Sequence, residues 1–272
     1  MSDSLADWLS LREAADAAAR STELLDAVVA KLPARRPLRI VDLGTGTGSN
    51  VRYLAPRLPG PQEWLVVDRD PRLLDELTGR VDVPLVARAA NLGTLTGDLF
   101  ADRDLVTASA LLDLVSEGWL RSLAGHCRRA GAAALFALTY DGESRCTPTE
   151  PEDDLVRTLM NRHQRQNDKG FGRAAGPEAT DAAERAFRSA GYVVRRARSD
   201  WVLGPSDAAL QRPLVEGWAA AAVDIAPERS ATIADWLQRR LRHVDAGHSH
   251  IVVGHQDVAA VLPGGPDVSS SA

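Results

Sequence analysis

A doubly wound α/β fold, with a mostly parallel sheet of seven strands and helices on both faces, is the fold class the sequence predicts. Two observations carry it. Short β-branched runs alternate with longer segments of helical spacing from residue 38 to 140, as in βαβ units whose parallel strands are buried on both sides. The first strand, "LRIVDLG", opens directly into Gly44, Gly46 and Gly48, the bare backbone that a ligand-binding strand-to-helix turn requires.

Leu5, Leu9, Leu24, Val28 and Leu32 give residues 5–31 helical spacing, so residues 1–36 form an N-terminal helical cover. Arg12, Asp16 and Arg20 stand four apart on one face of it, for which a solvated ion-pair ladder is the simpler reading. The main domain is expected over 37–262. "SNVRYLAPRL" is its first helix and "EWLVVD" its second strand. "RDPRLLDELTGR" starts a helix, with Asp70 as N-cap and Pro71 at the first helical position. "VPLVARA" and "DLVTASALL" are the third and fourth strands, "EGWLRSLAGHCRRA" a helix and "AAALFALTY" the fifth strand. Residues 141–180 break the rhythm and are expected to be a lid inserted after that strand. "YVVRRARSDWVLG" and "HSHIVVGHQDVAAVL" read as two closing strands around a helical 206–242, and 263–272 as a disordered tail.

The 272 residues suit one large domain. A net charge of −5, with 32 basic residues scattered among 37 acidic ones, argues against a nucleic-acid partner. Two cysteines, Cys127 and Cys146, form neither a disulfide framework nor a cysteine metal cluster. The acidic N-terminal segment is unlike a signal peptide, and no apolar run reaches membrane-spanning length. The expectation is a cytoplasmic protein without a membrane partner, with a homodimer left open. His248, His250 and His255 lack an acidic partner set, so no metal is expected.

The turn distinguishes between two ligand families. A dinucleotide fingerprint would place its third glycine at position 49, which is Ser49; the glycine is Gly48. Asp42, two residues before the first glycine, suits a ligand carrying a positive group. The D-x-G-x-G-x-G run of residues 42–48 resembles motif I of the class I S-adenosylmethionine-dependent methyltransferases, and the likeness covers roughly residues 38–140. It implies the Rossmann-like methyltransferase fold and S-adenosylmethionine as cofactor, with S-adenosylhomocysteine as product. Asp42, Gly44, Gly46 and Gly48 would then receive the methionine portion. Asp68, at the end of the second strand, would grip the ribose, with Arg69 against the adenine. Asn91, where the family usually has an acid, would accept from the adenine amino group beside Leu92. Ser109 would lie near the cofactor, and Arg20 would reach the methionine carboxylate from the N-terminal cover.

The implied activity is methyl transfer to an oxygen or nitrogen of a small molecule. A nucleic-acid methyltransferase, a non-catalytic S-adenosylmethionine-binding module and a nicotinamide-dependent oxidoreductase are its rivals. No Asn/Asp-Pro-Pro-aromatic run follows the fourth strand, where Asp113 faces the substrate or caps a helix. His163 is the expected base, its reference pKa lying near neutrality. Tyr140 and Asp141, at the end of the fifth strand, are expected to meet the acceptor. Around His163, "NRHQRQNDKGFG" supplies Asn161, Gln164, Asp168 and Phe171 as acceptor contacts, with Asn167 and Lys169 in the same segment.

Overall fold

The computed structural model describes residues 5–34, 37–166, 168 and 170–264. Five strands form the parallel half of one sheet: β1 (Leu38–Leu43), β2 (Gln62–Asp68), β3 (Leu85–Ala89), β4 (Leu105–Ser109) and β5 (Ala133–Thr147). Three more join at its far side, β6 (Val193–Arg198), β7 (Trp201–Leu203) and β8 (His250–Val261): β8 runs antiparallel to β5, and β6 and β7 both pair antiparallel with β8. The order is β3-β2-β1-β4-β5-β8-β6, with β7 also paired to β8. From β1 the chain winds outward to β3 and then crosses to β4 on the other side of β1, so the turns after β1 and β4 diverge and leave a crevice at their carboxyl ends.

Alternation along the strands builds a core on each face. Val41, Leu43, Leu65, Val67 and Val106 point into one cluster with Trp119, Phe136 and Phe187. Leu38, Ile40, Trp64, Val66 and Leu105 point into the other, beneath α2 (Thr22–Val29), α3 (Ser49–Leu54) and α4 (Pro71–Thr78). Local chemistry fixes the helix starts. Ser21 caps α2 by accepting from Leu24 N–H, and Asp70 caps α4 by accepting from Arg72 N–H, with Pro71 following. α5 (Glu117–Ala130) and α7 (Ala179–Ser189) cover the first face.

A third cluster joins α6 (Asp153–Gln166), α8 (Ala208–Ile225) and α9 (Ser230–Asp245) to β7 and β8. Arg240, fully buried on α9, donates to both carboxylate oxygens of Asp153, which also receives the Trp236 indole N–H at 2.8 Å. This three-way hold ties α6 to α9.

The structure corrects several expectations. Among the described residues the sheet has eight strands, not seven, because Ser199 and Asp200 divide the expected closing strand into β6 and β7. The N-terminal helical stretch, by contrast, is present as two helices, α1 (Leu5–Ala19) and α2, separated where Ser21 takes its capping role. Strand β5 does not end at Tyr140. It runs on to Thr147 through register shifts at Phe136/Thr139 and Tyr140/Ser144, since a bulge absorbs the Asp141–Gly142 pair without ending the ladder. The first part of the expected lid is therefore sheet, and α6 is packed into the third cluster rather than suspended over the site. Met1–Ser4 and residues 265–272, including most of the expected tail, lie outside the described residues. Among the described residues no helix is long and apolar enough to cross a membrane.

Candidate active site

The turn after β1 is folded onto β2 by its own amides. Gly44 and Thr45 N–H both donate to Val67 carbonyl, at 2.9 and 3.1 Å. Gly46 N–H donates to Asp68 Oδ2 at 2.9 Å, while Asp70 N–H takes Asp68 Oδ1 at 3.0 Å. The carboxylate at the tip of β2 is thus oriented by two backbone donors and keeps further acceptor positions on both oxygens. Gly46 has φ +54°, and a Cβ there would lie 2.9 Å from Leu9 Cδ1 on α1. Gly48 has φ +85° and starts α3; a Cβ there would meet Leu77 Cγ at 2.7 Å. Both positions therefore demand glycine on conformational and steric grounds.

Under the turn lies a buried polar network. Asp42 is fully buried, and its Oδ1 accepts from Asn50 Nδ2 at 2.6 Å. Asn50 Oδ1 in turn accepts from Arg20 Nη1 at 2.5 Å, and the Arg20 guanidinium sits over the Tyr53 ring, 4.2 Å from its centroid. Burial pushes the Asp42 carboxyl up to about 6, against the hydrogen bonds of Thr45 and Asn50 and the Arg20 charge, which pull it down. Its Oδ2 has no hydrogen-bond partner of good geometry, nor does the buried hydroxyl of Thr47. Orphaned polar atoms gathered beneath a glycine turn mark a place where a ligand completes the bonding.

Above the turn, α1 roofs a cleft of about 210 Å³. Leu5, Leu9, Arg12 and Asp16 line it from one stripe of the helix. Glu13 pins α1 to α3 by accepting from Arg52 Nε and Nη2, at 2.7 and 2.6 Å. The opposite wall is Ser109, Ala110, Leu111 and Leu114 after β4, with Leu92 and Phe171. Ala110 takes φ +50°, a turn that directs the chain across Gly44. Trp119 braces this end: its indole N–H donates to Leu92 carbonyl at 2.6 Å, and Phe171 meets its ring edge-on at 6.0 Å.

The structure gathers Gly44, Gly46, Asp68, Arg69, Leu92, Ser109 and Phe171 around this cleft. Gly48 and Asp42 stand behind it, and Arg20 lines an adjoining small cavity with Asn50 and Ser49. The remaining expected residues lie elsewhere. Asn91 is exposed, and its Oδ1 accepts from Gly93 N–H at 2.8 Å in a local turn rather than facing the cleft. Asp113 is buried outside the cleft lining. Tyr140 is buried, donates to Asn161 Oδ1 at 2.9 Å, and has its hydroxyl pushed well above the usual range by burial. Asn161 donates onward to Gly142 carbonyl, so this pair holds α6 to the β5 bulge. Asp141 Oδ1 accepts from Glu143 N–H within the bulge. His163 faces Asp224 at 3.6 Å on α8, and Gln164 is half-buried beside it on α6, away from the cleft. Asp168 accepts from Gly170 and Gly172 N–H, at 2.8 and 3.0 Å, and so shapes the turn that presents Phe171. Asn167 and Lys169 lie outside the described residues. His250 is exposed at the start of β8 whereas His255 is buried between Tyr140 and Trp201, so these histidines do not converge.

Sequence reasoning missed Thr45, Thr47, Asn50, Leu111, Leu114 and the α1 stripe. The stripe was visible as Leu5, Leu9, Arg12 and Asp16 at helical spacing, but nothing local indicates what that face covers. Asp16 is buried, which corrects the solvated-ladder reading.

No protein-family model matches the chain, and no curated protein does. Solved structures similar to it include the cyclopropane synthase MmaA2 from Mycobacterium tuberculosis, at 10% identity and TM-score 0.46 over 87% of this chain and 82% of that one. The YcgJ protein from Bacillus subtilis is similar at 15% identity and TM-score 0.48, over 90% and 100%. A phosphoethanolamine N-methyltransferase 2 from Haemonchus contortus is similar at 15% identity and TM-score 0.48, over 96% of this chain and 61% of that one.

Proposed function

We propose that this protein transfers a methyl group from S-adenosylmethionine to an oxygen or nitrogen of a small-molecule acceptor. One observation carries the reading: the amide of Gly46 and the carboxylate of Asp68 meet at 2.9 Å on the cleft wall. A side-chain-free turn and a ribose-gripping acid are thereby joined in one rim. The residues beneath the turn fit the cofactor. A buried carboxylate with an orphaned oxygen suits an ammonium group, and a buried guanidinium one residue away suits a carboxylate.

In this reading Gly44 and Gly46 receive the amino-acid portion, with Asp42 and Arg20 complementing its charges through Asn50. Asp68 holds the ribose hydroxyls and Leu92 packs on the adenine. S-adenosylmethionine, when bound, supplies a methyl group on a sulfonium that an aligned nucleophile displaces in line. Leu9, Leu111, Leu114 and Phe171 exclude water and restrict the acceptor's approach to the side of Ser109. A helix roof pinned by Glu13–Arg52 favours a small acceptor over a polymer.

Calorimetric titration tests the assignment. S-adenosylhomocysteine binds the wild-type protein and a nicotinamide dinucleotide does not. Asp68→Ala weakens the former by about a hundredfold, as expected for losing a bidentate charge-assisted contact. Retention of the dinucleotide alone, or an unchanged affinity in Asp68→Ala, refutes it.

A further inference from the structure

The acceptor side of the cleft carries one feature the cofactor reading leaves unexplained. Arg12 and Asp16 form an ion pair one helical turn apart, which on a solvated helix face would serve α1 equally well. Here the two side chains are 13% and 11% exposed and line the cleft. Burying such a pair is unfavourable unless its geometry is well made. It is well made: Arg12 Nε donates to Asp16 Oδ2 at 2.9 Å and Arg12 Nη2 to Oδ1 at 3.1 Å. The Trp201 indole N–H, from β7 on the far side of the sheet, adds a third bond to Oδ1 at 3.0 Å. Arg12 itself lies over the Trp201 ring, 5.1 Å from the centroid.

Three donors occupy three of the roughly four acceptor positions of a carboxylate, and the remaining one belongs to Oδ2. Burial raises the Asp16 pKa against the pull of Arg12 and Trp201, which makes the carboxylate a better hydrogen-bond acceptor. Among the described residues, the other ionisable side chains lining the cleft are Asp68 and Arg69 at the tip of β2, and Arg12, which is engaged by Asp16. Asp16 stands where the cleft meets the small cavity of Arg20 and Asn50, and Leu9, Ala110, Leu111, Leu114 and Phe171 give the cleft its apolar lining.

We propose that Asp16 is the specificity-determining residue of the acceptor site, accepting a hydrogen bond from the N–H or O–H of an otherwise apolar acceptor. The proposal rests on the methyl-transfer reading above. It excludes acceptors whose reacting group is an unprotonated carboxylate, which would face Asp16 with like charge. The orientation of Asp16 depends on Trp201, so β7 acts as a positioning element for a residue on α1.

The test uses ligands that share one apolar body. Phenethylamine, 2-phenylethanol, ethylbenzene and 3-phenylpropionate are titrated into protein saturated with S-adenosylhomocysteine. The amine or the alcohol binds about tenfold more tightly than ethylbenzene or the carboxylate. Asp16→Asn reduces that preference to less than about threefold while S-adenosylhomocysteine and 5′-methylthioadenosine bind as before. Trp201→Phe, which keeps the ring and the carboxylate, gives an intermediate preference and decides the matter if Asp16→Asn fails to fold. Equal or tighter binding of ethylbenzene or 3-phenylpropionate by the wild type overturns the proposal. So does a loss in Asp16→Asn of S-adenosylhomocysteine but not 5′-methylthioadenosine affinity, which would place Asp16 on the cofactor's amino group. No S-adenosylhomocysteine binding by the wild type removes the methyl-transfer reading itself.

Discussion

Asp42→Asn should make the ligand-free protein more stable at neutral pH and a poorer binder. The wild-type carboxyl is raised from 3.8 to about 6 by burial. Two pH units correspond to about 3 kcal/mol, the amount by which holding this ionised group in the fold opposes folding at pH 7.5. Between 3.8 and about 6 the folded chain keeps a proton that the unfolded chain releases. Wild-type stability from this group therefore falls as pH rises through that window and is constant above it. Asparagine cannot ionise, and its carbonyl still accepts from Asn50. Its NH₂ lands where Oδ2 has no partner, which costs about 1–2 kcal/mol for an unsatisfied buried donor. The net gain is about 1 kcal/mol at pH 7.5, or about 2 °C for a chain of this size. Near pH 4, where the wild-type group is neutral too, the variant is the less stable protein. Thermal or urea unfolding at pH 4, 5, 6 and 7.5 measures the crossing. Calorimetry at pH 7.5 measures the accompanying loss of S-adenosylhomocysteine affinity, about tenfold or more. A variant destabilised by the same amount at every pH would refute the reasoning, because the strain would then not be electrostatic.

His255 should act in the opposite sense. Burial lowers its pKa from 6.5 to about 4, so the unfolded chain takes up a proton that the folded chain refuses, and stability falls with pH from 6.5 towards 4. His255→Gln flattens that acid limb by roughly 2–3 kcal/mol, read from urea unfolding at pH 4.5 and 7. Gly46→Ala forces a Cβ to 2.9 Å from Leu9 at φ +54°, and should lift α1 from the turn. Limited proteolysis within residues 5–19 should quicken and S-adenosylhomocysteine affinity should drop more than tenfold, whereas stability falls by only about 1–2 kcal/mol. Trp119→Phe removes the N–H that holds Leu92 carbonyl but keeps the ring against Phe171. A loss of about 1–2 kcal/mol in stability is expected, with weaker binding of 5′-methylthioadenosine, which reports the adenine end.

The parts of the site that were legible in the sequence are those whose chemistry is local. Asp42, Gly44, Gly46 and Gly48 sit within seven residues and follow a β-branched run, and a strand tip one βαβ unit on supplied Asp68. Asp70 and Pro71 announced their helix for the same reason. Tyr140, Asp141 and His163 were chosen by position relative to the expected end of β5, and that end moved. Antiparallel pairing with β8, more than a hundred residues downstream, carries β5 through its bulges to Thr147. Tyr140 and Asn161 thereby become a strut and His163 a neighbour of Asp224.

By itself, then, the sequence determined the βαβ order, the bare turn and the acid at the next strand's tip, because hydrophobic period, glycine spacing and capping act over a few residues. Only tertiary structure decided that α1 roofs the turn, that Trp201 orients Asp16, and that α6 belongs to a core. Each of those depends on which surfaces meet across long stretches of chain, and a segment's own residues state that it has an apolar face without stating what will cover it.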